Sequence, residues 1–541
     1  MVRITDAVRP RLARAAGIVR PSLARAAAAA GPQVARLTQA VGPQLARITK
    51  AGPHTGSWRY TAGAATAGLA LAAGVVTAAG PWDGTGQRTA ERDRAVALDR
   101  TGGADHGRKD DSSRTSATAA GAPRPAPSAA SVLTGLGGAA DTVKSAPDAP
   151  AALPTTTGLK AVLDRLLADP ALGARHTAAV VDVATGKRLY GSGADTALTP
   201  ASTTKIATAV AALSAMGPDH RLTTRAALEP DTKELVLVGG GDPTLTARQD
   251  AQGWAGLRTL AAATAKTLKA RGITQVTLSY DTTLFAGSQI HPIGVNPNLA
   301  PVTALSADEG RTDDSTSGPT TRVSDPAADA TRKFAAYLEA DGIKSSAPGP
   351  SKATTRAQTL ATVSSPPLST LIERMLTNSD NDIAEALARQ TAVATGVRAD
   401  FAGGGKAVRA QLQKLGLPVT GAVFKDGSGL DRADRLTANL LTTLLAKAGD
   451  PGLPALRPVL TGLPVAGFTG TLSTRYADGA AGVVRAKTGT LTGVNTLAGT
   501  VVDQDGRLLA FALLTSDTTD PTAAQTALDK AATALAGCGC R

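Results

Sequence analysis

The sequence predicts an α/β domain over residues 156–541, closed by its own two ends around an inserted strand-rich region. Three observations carry this reading. At the start, "GLKAVLDRLLADPAL" has the apolar spacing of an amphipathic helix, and "HTAAVVDVATGKRLYGSG" reads as two strands around an Ala184-Thr185-Gly186-Lys187 turn. At the end, "VNTLAGTVVDQDGRLLAFALLTSD" reads as a hairpin turning at Asp505-Gly506, followed by a helix over "PTAAQTALDKAATALAG". Between about 217 and 355 lie further strands, such as "KELVLVGGG", and few long helices. Beyond this insertion, two helical runs at 369–377 and 382–390 flank Ser379-Asp380-Asn381, and Val483–Ala486 reads as a strand.

The first 155 residues have a different character. The net charge is +13, but residues 1–59 hold ten basic residues against Asp6 alone, so this head carries +9 and the other residues only +4. That distribution argues against nucleic-acid binding by the bulk of the protein. Within the head, "RPRLARAAGIV", "RPSLARAAAAA", "GPQVARLTQAV" and "GPQLARITKAG" repeat with prolines eleven apart, which reads as short basic helices. Residues 61–80, "TAGAATAGLALAAGVVTAAG", carry no charge and are flanked by Trp58, Tyr60 and Trp82. Such a stretch is long enough to cross a hydrocarbon core of roughly 30 Å. A basic cytoplasmic head beside it orients the C-terminal bulk to the outside. We therefore expect a single-pass membrane segment at 60–82, kept as an anchor rather than cleaved near Thr77-Ala78-Ala79. Residues 83–155, rich in Ala, Ser, Gly, Pro and Asp, read as a disordered linker. The two cysteines, Cys538 and Cys540, read as part of a tail without catalytic role; one intervening glycine places them poorly for a relaxed disulfide.

Three short motifs carry the chemistry. In "PASTTKIATAV", Ser202 and Lys205 stand three apart at a helix entrance, where i and i+3 share a face. A serine hydroxyl is a poor nucleophile until a neighbouring base takes its proton, and a lysine serves only if its surroundings keep it neutral. In Ser379-Asp380-Asn381, Ser379 is suited to relay a proton and Asn381 to bind a substrate amide. In "VVRAKTGTLTG", Lys487 and Thr488 at a strand end are suited to a carboxylate, Gly489 admits a substrate backbone, and the Thr490 amide can donate to an oxyanion. Each motif alone has an ordinary structural meaning: a capped helix, a turn, a strand end.

In this order the three resemble the signature set of penicillin-binding proteins and serine β-lactamases. Ser379 lies 177 positions after Ser202, as in the class C low-molecular-mass penicillin-binding proteins, the D-alanyl-D-alanine carboxypeptidase/endopeptidase family. "GGGDPTL", "KDGSGLDR" and "LPVAGFTGTLSTRY" look like that family too, although it usually carries serine where this chain has Asp431. The resemblance covers residues 156–540. It implies a penicilloyl-serine transferase (β-lactamase-like) domain, an antiparallel sheet flanked by helices, split into 156–216 and 356–541 around an insertion at 217–355. It further implies that Ser202 attacks a D-alanyl carbonyl of a peptidoglycan stem peptide with Lys205 as base. Ser379 would relay the proton, the amides of Ser202 and Thr490 would hold the oxyanion, and Asn381, Lys487, Thr488, Gly489 and Thr490 would bind substrate. Penicillin and other β-lactam antibiotics would acylate Ser202, and no metal or organic cofactor would be needed.

The competing readings are weaker. A class A β-lactamase needs a glutamate between the second and third motifs, and the only glutamate there, Glu385, lies six residues past Ser379. A His-dependent hydrolase is disfavoured because the last histidine is His291 and no Gly-x-Ser-x-Gly occurs. A binding-only fold would not require all these side chains.

Overall fold

The computed structural model describes residues 155–346, 349–476 and 479–539. The basic head, the segment at 60–82 and the linker up to residue 154 lie outside the described residues. Among the described residues no helix is long and apolar enough to cross a membrane.

In chain order the elements begin with α1 (Thr156–Leu167), β1 (Arg175–Asp182), β2 (Arg188–Ser192) and α2 (Thr204–Met216). The inserted region supplies β3 (Thr223–Leu228), β4 (Glu234–Val238), α3 (Leu257–Ala270), β5 (Gln275–Asp281), α4 (Pro326–Ala340), β6 (Lys344–Ser345), β7 (Gly349–Pro350) and β8 (Gln358–Ser364). The chain then returns with α5 (Leu368–Asn378), α6 (Asn381–Ala394), α7 (Phe401–Lys414), α8 (Ala438–Ala448), β9 (Val484–Leu491), β10 (Val494–Val502), β11 (Leu508–Ser516) and α9 (Pro521–Ala536).

Strands from the two ends of the domain form one antiparallel sheet, ordered β2-β1-β11-β10-β9. Period-two alternation sorts its side chains to two cores. Along β11, Leu509, Phe511 and Leu513 face the terminal helices α1 and α9, while Ala510, Ala512 and Leu514 face α2, α5, α6 and α8. Ala179 of β1 and Ala498 of β10 join the second face. Small residues on that face let α2 approach closely, and every residue from Thr204 to Leu213 is buried. The alanine-rich, aromatic-poor composition is the composition such close packing needs. Polar caps fix where helices begin: Asp380 accepts from Ile383 N at 3.0 Å at the start of α6, and Asp520 caps α9 beside Pro521.

The inserted region forms a second sheet, ordered β6-β5-β4-β3-β8 with β7 also on β5, and has its own core with Phe334, Leu260 and Leu268. One finding departs from the sequence reading. β8 belongs to this sheet, so the insertion's structure runs past residue 355 to Ser364. The region also holds two amphipathic helices, α3 and α4, in keeping with the few long helices expected. At the C-terminus, Cys538 is buried against the α9 core and disulfide-bonded.

Candidate active site

The three motifs meet where the amino end of α2 abuts the edge strand β9. Ser202 sits in a 3-10 turn, Ala201–Thr203, just before α2 rather than in the helix itself. Ala201 is held at φ 46°, a left-handed conformation uncommon for a residue with a Cβ. Close packing on both sides holds it there. A Cβ on Gly429 (φ +83°) would lie 1.9 Å from the Ala201 carbonyl oxygen, and one on Gly489 would lie 2.8 Å from Pro200 O and 3.0 Å from Ser202 N. Glycine at these two positions is what allows the DGSG loop and β9 to grip the turn. The Pro200 carbonyl is pinned further by the hydroxyls of Thr496 on β10 (2.8 Å) and Thr203 (2.7 Å).

Lys205, one helical turn along, is fully buried. Its Nζ lies 3.0 Å from Ser202 Oγ, 2.6 Å from Asn381 Oδ1 and 2.8 Å from the Ser428 carbonyl. Burial pulls its pKa down to about 8, against the raising influence of Asp426, Glu385, Asp380 and Asp382. Ser379, at φ 58°, closes α5 in the left-handed region, and Asp380 then caps α6 so that Asn381 is its first residue. Asn381 Nδ2 donates to Asn298 O at 2.9 Å, so the turn also touches the insertion.

On β9, Lys487 is fully buried and donates to the Thr488 carbonyl at 2.8 Å. Burial, aided by the charge of Lys205, holds its pKa well below the ordinary lysine range. Thr488 Oγ1 lies 2.9 Å from Thr471 Oγ1. A cleft of about 290 Å³ is lined by Ser202, Ser379, Asn381, Thr488 and Thr490 together with Asn298, Arg311, Ser317–Pro319, Arg322 and Leu430. Of the expected site residues, Lys205, Lys487 and Gly489 stand behind this lining.

Several participants carry no recognisable signal in the sequence. Asn298, Arg311 and Arg322 come from the insertion, and Thr496 is an ordinary strand threonine. The Ser428 carbonyl belongs to "KDGSGLDR", whose glycines hint at a tight loop without saying what it touches. Asp426 organises that loop, accepting from Gly429 N and Asp431 N at 2.6 Å each. Asp431, the departure from the family pattern, accepts from Ala433 N at 2.8 Å and so serves the local turn.

Among the described residues two buried groups could hold a cation by proximity, His291–Glu385–Asp426 and Glu309–Asp380–Asp382. Both are already compensated. In the first, the Ile293 amide points at His291 Nδ1 (3.2 Å), which leaves the proton on Nε2 facing Asp426 Oδ2 at 3.0 Å. In the second, Arg311, Arg322 and Arg374 supply the countercharge.

Comparison with known proteins gives concordant matches. The model of the D-Ala-D-Ala carboxypeptidase 3 (S13) family matches residues 159–319 and 312–535. Carboxypeptidase DacB of Mycolicibacterium smegmatis is 39% identical over 412 residues, covering 73% of this chain and 87% of that protein. The D-alanyl-D-alanine carboxypeptidase of an Actinomadura species is 31% identical over 460 residues, covering 68% and 82%. The crystal structure of penicillin binding protein 4 from Haemophilus influenzae shares the fold, with a TM-score of 0.57 at 21% identity over 71% of this chain and 98% of that one.

Proposed function

The chain belongs to the D-Ala-D-Ala carboxypeptidase 3 (S13) family, and from that premise we propose that it is a serine-type D-alanyl-D-alanine carboxypeptidase. It acts on peptidoglycan stem peptides through an acyl-enzyme on Ser202 and is acylated by penicillin at the same atom.

The observation that carries this reading is the set of three contacts on Lys205. Asn381 Oδ1 and Ser428 O are pure acceptors, so each takes an N–H of the amine. In the neutral amine only the lone pair remains, and it points to Ser202 Oγ. Lys205 is therefore placed to accept the serine proton. With its pKa near 8, roughly a quarter of the amine is neutral at pH 7.5.

Ser202 Oγ attacks the carbonyl of the penultimate D-alanine as its proton passes to Lys205. The amides of Ser202 and Thr490 hold the oxyanion. Lys205 returns that proton through Ser379, which relays it to the leaving amine, the C–N bond breaks and D-alanine departs. Water then hydrolyses the ester and restores Ser202. Thr488 and Thr490, with Lys487 behind them, take the terminal carboxylate, and Asn381 orients the substrate amide. Glu385 points away from the cleft to the amides of Gly427 and Ser428, which leaves it unsuited to activate a deacylating water. The acyl-enzyme formed with penicillin is therefore long-lived.

Incubation with benzylpenicillin tests this. Mass spectrometry should find an adduct on the peptide carrying Ser202 and none in Ser202→Ala; an intact antibiotic and an unmodified serine would refute the reading. The acylation rate of the wild type should rise with pH through a midpoint near 8. Monomeric and cross-linked peptidoglycan fragments then distinguish carboxypeptidase from endopeptidase cleavage, since both present a D-alanyl amide. The uncharged stretch at 61–80 and the basic head beside it support attachment of this domain to the outer face of a membrane, with the linker as spacer. Fractionation, and protease accessibility of residues 156–541 on intact cells, would test that placement.

A further inference from the structure

Glu385 is buried to 1% exposure in a protein whose acyl chemistry does not call on it. It lies on α6 one turn beyond Asn381, and the i, i+4 spacing turns both side chains to the same face. Asn381 touches Lys205 directly. Glu385 reaches the same amine by one intermediary: it accepts from Gly427 N at 3.1 Å with both oxygens and from Ser428 N at 2.8 Å, and the Ser428 carbonyl accepts from Lys205 Nζ at 2.8 Å. A carboxylate accepting amide N–H groups in a buried site makes charge-assisted bonds that fix the turn. Gly427 leaves no slack, since a Cβ there would lie 2.5 Å from the Ala384 carbonyl oxygen.

We propose that Glu385 is a positioning residue for Lys205, holding the Gly427–Ser428 turn as a carboxylate so that the amine's lone pair is left for Ser202. The proposal rests on the acyl-enzyme reading above and extends it: one helix sets two of the three directions around the base.

The carboxylate also acts by charge. The ionisable groups around this pair are Asp426, Asp434, His291 and Arg389 near Glu385, and Asp380, Asp382, Asp426 and Lys487 near Lys205. Burial raises the Glu385 pKa to about 7, so it is ionised where Lys205 gives up its proton, near 8. Removing its negative charge makes the ammonium less favourable, and the Lys205 pKa falls.

The test is the pH profile of benzylpenicillin acylation in the full chain. Glu385→Gln should move the acid limb to lower pH by roughly one unit, with the plateau rate reduced about tenfold because the turn is held by a neutral amide. Glu385→Asp keeps the charge but is one methylene short; its limb should stay close to that of the wild type while its plateau falls at least as far as that of the glutamine variant. An unmoved limb in Glu385→Gln, or a wild-type plateau in Glu385→Asp, would overturn the proposal. Should neither variant fold, carboxyl 13C NMR of the wild type still decides. The Glu385 signal should be that of a carboxylate on the acylation plateau, above the pH at which Lys205 gives up its proton, and a protonated acid there would overturn the idea. Failure of the wild type to be acylated would instead remove the reading on which this rests.

Discussion

Asp434 shows how a single buried proton can decide a loop. Its Oδ1 accepts from Lys425 N at 2.6 Å, and its other oxygen is buried beside Asp426. Burial, then the Asp426 charge, pushes its pKa up to about 10, so it remains a neutral acid and donates to Asp426. The native state thus keeps a proton that the unfolded chain releases above pH 4, and stability contributed by this site falls as pH rises from about 4 towards 10. Asparagine has the same shape, with a donor where the acid has its hydroxyl. Asp434→Asn should therefore fold, retain acylation, and be more stable than the parent by ~1–3 kcal/mol at pH 8 in denaturant titration. Lys487 makes a prediction of opposite sign. Burial, then the charge of Lys205, lowers its pKa, and a substrate carboxylate acts the other way by favouring the charged form. Binding of a D-alanyl-D-alanine peptide to Ser202→Ala should be accompanied by net proton uptake, read from calorimetry in two buffers of different ionisation enthalpy.

At the scale of elements, β9 and β10 do for the Ser202 turn what the DGSG loop does from the other side. β9 contributes Gly489, whose missing side chain lets the strand lie against Ser202 N, and β10 contributes Thr496, whose hydroxyl holds Pro200. Gly489→Ala would place a methyl 2.2 Å from Thr496 Oγ1. We expect acylation to slow by about a hundredfold and the melting temperature to fall while circular dichroism changes little, because the clash displaces the buried turn that carries Ser202 without unfolding the sheet. Thr496→Val removes one neutral hydrogen bond and should cost about 1 kcal/mol, with a smaller loss of rate.

At the scale of the molecule, the insertion is fastened to the catalytic turn as well as inserted beside it. Asp382, next to Asn381, accepts from Ala300 N at 2.9 Å and pairs with Arg322 at 3.0 Å; Arg322 also donates to the Glu309 carbonyl at 2.5 Å. Arg311 and Arg374 complete the pairing with Glu309 and brace the loop at 315–318 that walls the cleft. Arg322→Met would strand Asp382 in a buried site. It should destabilise the protein by about 3 kcal/mol and expose the insertion to limited proteolysis before the rest of the domain.

How much of this is legible in the chain depends on range. Short-range pattern determined the end strands, the terminal helices, the helix–turn–helix around Ser379–Asn381 and the family resemblance, because periodicity, caps and motif spacing are local properties of a sequence. The extent of the insertion's sheet to Ser364 was not legible, since a strand's partner depends on a surface supplied from elsewhere. Nor were the contacts that surround Lys205. Ser428, Asn381 and Ser202 are far apart in sequence, and their convergence on one buried amine exists only once α2, α6 and the DGSG loop pack together. The sequence determined which groups were available; the tertiary structure alone decided how far Lys205 is removed from water, and hence which of its hydrogens are committed and where its lone pair points.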